Sequence, residues 1–393
     1  MKTIRILAAA LVTTIFQISP SIAQQTYEWP RLVVIGTPGT TTGSFASTNG
    51  WAPVLQRDKG ISVRIVPEGN EMARYQRLTT KKTIQIASTS ASEIRSQIEG
   101  IGAYGSVPAH PMRILWHHND TPWGYVTSAT SDLKSLKDLA KGGYRVSVGV
   151  FSPALVTAVK EGLPAFAGLS PEEAEERFIF VPASSYAENC RSVVEGKADV
   201  ALCSPISSLL SEMEAAPGGI RWLEMDEEDI EAWKGYIAAR PMLIPNKISM
   251  GVESARGVEG STSNFLYMVA ADADPEFAYN MAKWLAGSYD GYKSTHPLAS
   301  RMSADIFRAY LDRTPLPVHE GTVRYLKEAG LWSPADEARN AEAITRMDSW
   351  VAARQAALVE AREAGIAPSP DNPDFVTILD KHTSELSRFR SRL

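Results

Sequence analysis

The 393-residue chain is poor in cysteine, in net positive charge and, beyond its first residues, in long apolar runs. Its two cysteines, Cys190 and Cys203, are not spaced as C-x-x-C, which removes the common redox motif. The formal net charge is −5, and losing Lys2 and Arg5 with an export signal takes it to −7. An acidic chain without a basic tract is not built for nucleic acid. No later segment is long and apolar enough to span ~30 Å of hydrocarbon. Internal repeats and low-complexity tracts are missing too.

Catalytic signatures are also absent. There is no G-x-S-x-G. The loop at Gly36 lacks both the Lys of a P-loop and the G-x-G-x-x-G of a dinucleotide fold. Ser131-Asp132-Leu133-Lys134 matches S-x-x-K, but its S-D-N and K-T-G companions are missing and Ser131 is placed to cap a helix. His117 and His118 are neighbours on a strand and point to opposite faces, with no third ligand at useful spacing. The expectation is a protein with no catalytic residue, no metal and no cofactor.

What is present begins with an export signal. Lys2 and Arg5 form a positive n-region, Ile6 to Ile18 is mostly apolar, and Ser21-Ile22-Ala23 offers small residues to a signal peptidase. Cleavage is expected after Ala23, with no nearby Cys for a lipid anchor, which places the mature chain in the periplasm. About 370 residues then remain, more than one core usually serves, so two lobes are expected.

Strand-like runs alternate with amphipathic helical ones. Leu32–Ile35, Ser62–Val66, Thr83–Ala87, Arg113–His117, Gly124–Thr127, Arg145–Val150, Phe178–Val181 and Val200–Cys203 read as strands. Ala46–Gln56, Glu71–Thr79, Ser92–Glu99, Leu133–Ala140, Pro153–Phe166, Pro171–Arg177 and Glu188–Glu195 read as helices. This alternation predicts an α/β fold whose ligand sits outside the carboxyl ends of the strands. The expected division is a signal at 1–23, the first part of lobe 1 at 24–122 and lobe 2 at 123–235. A return to lobe 1 follows at 236–333, then a C-terminal helix and tail at 334–393. Trp222 to Gly260, interrupted by Pro241, Pro245 and Gly251, reads as an irregular return. Ser333-Pro334-Ala335-Asp336 caps a long helix with a thin stripe of Ile344, Met347, Val351 and Leu358. The tail from Asp371 reads as loosely held.

Four loops rich in small polar residues follow strand ends and precede helices. They are Gly36–Ser44, with Thr37, Thr40 and Ser44; Ser88-Thr89-Ser90; Gly149–Ser152, with Phe151 and Ser152; and Ser204–Ser207, led by Ser204. Helix N-termini present unpaired N–H groups and a positive dipole end, so several at one crevice would cradle carboxylate or phosphate oxygens. Arg74 offers a guanidinium for a carboxylate. Tyr186 and Trp123 offer aromatic walls with polar tips. Cys190 lies early in a helix and Cys203 at a strand end, which leaves both a disulfide and two separate buried thiols open.

Several stretches resemble the TAXI-type solute receptors of TRAP transporters, over roughly Leu32 to Arg339. Ile35-Gly36-Thr37-Pro38-Gly39-Thr40 resembles the opening G-[ST]-x-G-G-T loop of that family. Ser135–Leu139 followed by Arg145–Gly149 resembles S-L-x-D-L…[RK]-V-x-[VI]-G, and Val194–Val200 resembles its helix-to-strand turn. Thr295-His296-Pro297-Leu298-Ala299 and the run Pro315 to Trp332 resemble H-P-A-A…[IV]-P-[LF]-H-P-G-A-x-[RK]-Y-[YL]-x-E-x-G-[LM]-W. Two positions depart from the pattern: Thr41-Thr42-Gly43-Ser44 replaces an aromatic pair, and Arg74 stands where Asn is frequent. The resemblance implies a type II periplasmic-binding-protein fold of two α/β lobes joined by hinge strands. It also implies a small organic anion as ligand (a dicarboxylate, keto acid or acidic amino acid) and TRAP membrane permease subunits as partners of a monomeric receptor. The sequence leaves two other functions open: a ligand-sensing module for a signalling receptor, and a periplasmic serine acyl-enzyme hydrolase acting through Ser131 and Lys134.

Overall fold

A computed structural model describes residues 27–392. The expected export signal lies outside the described residues. Among those described, no helix is long and apolar enough to cross a membrane.

Ten strands build the framework: β1 Leu32–Thr37, β2 Ser62–Pro67, β3 Ile86–Ser90, β4 Met112–Ser128, β5 Arg145–Gly149, β6 Ile179–Ala183, β7 Val200–Cys203, β8 Ile220–Leu223, β9 Leu243–Lys247 and β10 Glu259–Ala270. One lobe orders its strands β2-β1-β3-β10-β4. The other repeats the scheme as β6-β5-β7-β4-β8. In each, the first three strands are parallel, and the strand after β3 or β7 enters antiparallel from the opposite lobe. This is the two-lobed α/β architecture that the resemblance implied.

β4 belongs to both sheets. It pairs β10 from Met112 to Trp123, then β7 and β8 from Gly124 onward. The sequence reads as two strands here because Asn119-Asp120-Thr121-Pro122 is polar and contains Pro. Asp120 is held in the continuous strand by Arg301, His117 and Asn264, which satisfies a polar hinge without a turn. β10 runs antiparallel beside it as the second hinge strand.

Three apolar clusters sit around the sheet. Lobe 1 packs Val33, Ile35, Trp51, Trp116, Leu266 and Trp284. Lobe 2 packs Tyr125, Leu136, Phe166, Leu202, Trp233 and Leu243 in one cluster, and Val126, Leu209, Trp222 and Ile248 in another. Trp222 to Gly260 is therefore more regular than the sequence suggests. It holds part of β8, the helix Ile230–Ala239 and β9, and it packs in lobe 2 before the chain crosses back along β10. Cys190 and Cys203 are joined by a disulfide, with Cα atoms 6.0 Å apart, inside the second of these clusters.

The helices that matter for the cleft are α1 Gly43–Lys59, α2 Glu71–Thr79, α3 Ala91–Glu99, α4 Pro153–Thr157, α5 Tyr186–Val194, α6 Ser208–Glu214 and α7 Ile230–Ala239. The C-terminal part adds α8 Pro334–Glu363 and α9 Pro373–Thr383. The tail is not loose: Phe389 is fully buried and its N–H donates to Glu99. On α8 the buried side includes Met347 and Leu358 but also Trp350 and Arg354, so the expected stripe accounts for only part of it. Leu133–Ala140, expected as an α-helix, forms a shorter 3-10 turn over Leu136–Lys141, and Thr83–Ala87 is displaced to Ile86–Ser90.

Candidate functional site

Six helices begin at the cleft between the lobes. Thr42, Asn70, Ser90, Ser152 and Ser185 each cap one, accepting from Phe45, Ala73, Glu93, Leu155 and Glu188 backbone N–H at 2.9–3.3 Å. The sixth departs from this pattern. Ser207 precedes α6 without capping it, and its hydroxyl donates to Thr41 O in the other lobe at 2.5 Å. The starts of α1, α2 and α3 come from lobe 1, and those of α4, α5 and α6 from lobe 2. They surround a cavity of about 260 Å³.

The lobes are closed on each other. Besides the Ser207–Thr41 bond, Ser152 Oγ donates to Glu93 Oε2 at 2.6 Å and the Ala154 N–H to the same oxygen at 3.3 Å. The Glu71 N–H donates to Phe151 O at 3.3 Å. Gly43 is closely packed at the start of α1. A Cβ there would lie 2.8 Å from Leu298 Cδ1 and 3.0 Å from Ile206 Cγ2 of lobe 2.

Of the residues expected to bind, Thr40, Ser44, Ser90, Phe151, Ser152, Tyr186 and Ser204 line this cavity. Thr37, Arg74, Ser88 and Thr89 do not. Thr37 ends β1 and is fully buried in the sheet opposite Pro67. Ser88 bonds His118 Nδ1 at 2.8 Å, and Thr89 pairs with Leu266 of β10. Arg74 is the main correction. It is buried, donates to Glu68 O at 2.6 Å and forms an ion pair with Glu71. Glu71 lies one turn before it on α2 and lines the cavity, so the guanidinium neutralises its own helix and does not face a ligand.

Ser204 and Trp123 line the cavity, but Ser204 Oγ and Trp123 Nε1 are buried away from it and have no hydrogen-bond partner among the described residues. Tyr186 contributes its ring instead of its hydroxyl. The Ser204 N–H donates to that hydroxyl at 2.9 Å, and the ring meets Trp123 edge to face at 6.1 Å. Burial pushes the Tyr186 hydroxyl up to about 12 and keeps it neutral.

Glu93 and Arg240 also line the cavity and were not expected to. Glu93 accepts from Tyr104 Oη at 2.8 Å as well as from Ser152 and Ala154. Burial, and then the charge of Glu71, push its carboxyl up to about 7 despite those donors. Arg240 follows α7 directly and is 7% exposed. The run Trp233, Tyr236, Ile237 ahead of Pro241 is a helix-end signal that would have placed it, since residues before Pro leave the helix.

The remaining candidates sit elsewhere. His117 lies between Arg301 O and Asp120, and His118 stacks on Tyr267 at 4.1 Å. Burial holds His118 well below the usual histidine range, hence neutral. Among the described residues no three His, Cys, Asp or Glu side chains are grouped to hold a metal. Ser131 Oγ accepts from Leu133 N–H at 3.2 Å as a local cap, while Lys134 is exposed.

A family model described as the NMT1-like family matches residues 35–330. No curated protein matches the chain. Solved structures with likeness include the binding-protein component of an ABC phosphonate transporter from Pseudomonas aeruginosa, at 13% identity over 84% of this chain and 99% of that one, TM-score 0.44. R. palustris Rpa4515 with adipate is similar at 17% identity over 87% and 100%, TM-score 0.43. A histidine kinase sensor domain with similarity to periplasmic binding proteins is similar at 12% identity over 70% and 96%, TM-score 0.42.

Proposed function

The chain belongs to the NMT1-like family, and from that premise we propose that it is an extracytoplasmic solute-binding protein. It captures a small organic anion, of the dicarboxylate, keto acid or acidic amino acid classes, and delivers it to a TRAP-type membrane permease. The observation that carries the reading is the convergence of helix starts from both lobes on one cavity beside a buried, unpaired Arg240. Each start is worth about 0.3–1 kcal/mol to an anion when exposed and up to about 2 when partly buried. The hinge strands let the lobes part for entry, and closure removes water and strengthens every polar contact inside. Delivery to a TRAP permease is supported by the resemblance at Thr295–Ala299 and Pro315–Trp332.

A thermal-shift screen over organic acids tests capture, because a ligand selective for the folded form stabilises it by about 2.7 kcal/mol at a hundred times its Kd. A rise in Tm with at least one acid class is expected; no rise with any organic anion refutes the reading. Delivery is checked by uptake into vesicles carrying the permease. Uptake should follow an ion gradient, and a requirement for ATP would exclude this partner.

A further inference from the structure

We propose that the ligand is a monocarboxylate with a neutral acceptor beside the carboxylate and an apolar body, as in a branched 2-oxo acid. Arg240 takes the carboxylate. This deepens the anion-capture reading and rests on it.

Four charged side chains stand at or just behind the cavity wall: Glu71, Arg74, Glu93 and Arg240. Glu71 and Arg74 neutralise each other. Arg240 has no carboxylate within ion-pair distance among the described residues. Its side chain makes one long bond, Nη1 to Tyr236 Oη at 3.4 Å, and the guanidinium lies 6.0 Å from the centre of that ring. A buried guanidinium without a counter-ion is unfavourable, and its planar fork fits a carboxylate two-handed. The protein also makes room for it. A Cβ on Gly162 would come within 3.2 Å of Arg240 Cδ and of Tyr236 Cε2.

One unpaired cation calls for one carboxylate. A second would share the space with Glu93. No second side-chain cation is free among the described cavity residues to pair it, and a buried unpaired carboxylate is unfavourable. The donors left over suit an uncharged oxygen. Thr40 and Ser44 line the cavity, and a 2-oxo or hydroxyl oxygen accepts from their hydroxyls without adding charge. Phe151, Leu155 and Phe265 give the wall an apolar part among its Ser and Thr residues.

Isothermal titration at pH 7 with the purified mature protein tests this, using two matched pairs: 4-methyl-2-oxopentanoate against 2-oxoglutarate, and hexanoate against adipate. The uncharged ketone 4-methyl-2-pentanone is the third arm. The monocarboxylate of at least one pair is expected to bind at least ten-fold tighter than its dicarboxylate, and the ketone at least a hundred-fold weaker than the oxo acid. Arg240→Gln should lose at least thirty-fold for the monocarboxylate, and Arg240→Lys should recover part of that. A preference for the monocarboxylate below ten-fold in both pairs overturns the proposal while leaving anion capture standing. So does a folded Arg240→Gln variant with unchanged affinity. If the variants do not fold, the wild-type pairs decide alone. Tight binding of the ketone, or of none of the five compounds, overturns anion capture in these classes and this proposal with it.

Discussion

Replacing Glu93 by Gln should flatten the pH dependence of stability in a direction opposite to that of most carboxylates. The groups facing Glu93 are Glu71 from α2, Tyr104 from the turn after α3, and Ser152 and the Ala154 N–H from the start of α4. Its carboxyl is pushed up from 4.5 to about 7, first by burial and then by the Glu71 charge. A carboxyl raised on folding holds more protons in the folded state, so its contribution falls as pH rises. The loss starts near the unfolded value, about 4.5, and follows the full slope up to about 7. At 1.36 kcal/mol per pH unit of difference, the part lost between pH 5 and pH 8 is about 2.5 kcal/mol. Gln keeps an acceptor for the Ala154 N–H and can donate to the Tyr104 and Ser152 oxygens, but it does not titrate. Urea unfolding of both proteins at pH 5 and pH 8 reads the effect as a double difference, with the m-value checking that the unfolded states match. Glu93→Gln should gain about 2.5 kcal/mol on the wild type between the two pH values. A double difference below about 0.5 kcal/mol, or of opposite sign, would show that the carboxyl is ionised and well solvated in the folded state, and the reasoning would fail.

Two further perturbations probe the scaffold. Arg354→Ala removes a fully buried guanidinium that donates to Gln97 O, Ile98 O, Tyr104 O and Val107 O, and should cost about 3–5 kcal/mol in a denaturant titration; a loss under about 1 kcal/mol would mean the carbonyls find water. Reducing the Cys190–Cys203 disulfide, which closes a separation of 13 residues, should lower stability by about 3 kcal/mol, and melts with and without thiol that coincide would refute it.

What the sequence shows well is local. A Ser or Thr before a helix, after an apolar run, signals a capped start, and Ser90, Ser152 and Ser185 cap as that chemistry requires. Thr40, Ser44, Phe151, Tyr186 and Ser204 reach the cavity because their loops sit at strand ends that both lobes present to one crevice. What is not legible depends on distant partners. Arg74 looks like a ligand until its neighbour Glu71 is seen to take its charge. Arg240 lies in a stretch whose prolines mask a helix, and its burial comes from packing on Tyr236 and Gly162. Glu93 reads as an ordinary first-turn acid, since nothing in the chain near it announces Ser152 and Ala154 some sixty residues away. The tail reads as loose because one Phe among Ser and Arg carries its anchoring.

α3 connects the C-terminal extension to the cleft. Its first turn holds Ser90 and Glu93 at the cavity, and its last carbonyls, Gln97 O and Ile98 O, are held by Arg354 from α8. Those carbonyls carry the negative end of the helix dipole, so a buried cation there is favoured on both hydrogen-bond and dipole grounds. Glu99, the last residue of α3, is gripped by Arg95 on its own helix and by Arg388 and the Phe389 N–H of the tail. The tail then runs on, and the Ser391 N–H donates to Pro241 O, one residue past Arg240. None of these groups lines the cavity, yet they brace both unexpected charged residues from behind. A nine-residue helix is about 13 Å long, so tilting its first turn to reopen the cleft must also strain the bonds on its last turn. The extension therefore fixes the C-terminal end of α3 to lobe 1, and β4 and β10 are the two strands shared between the lobes.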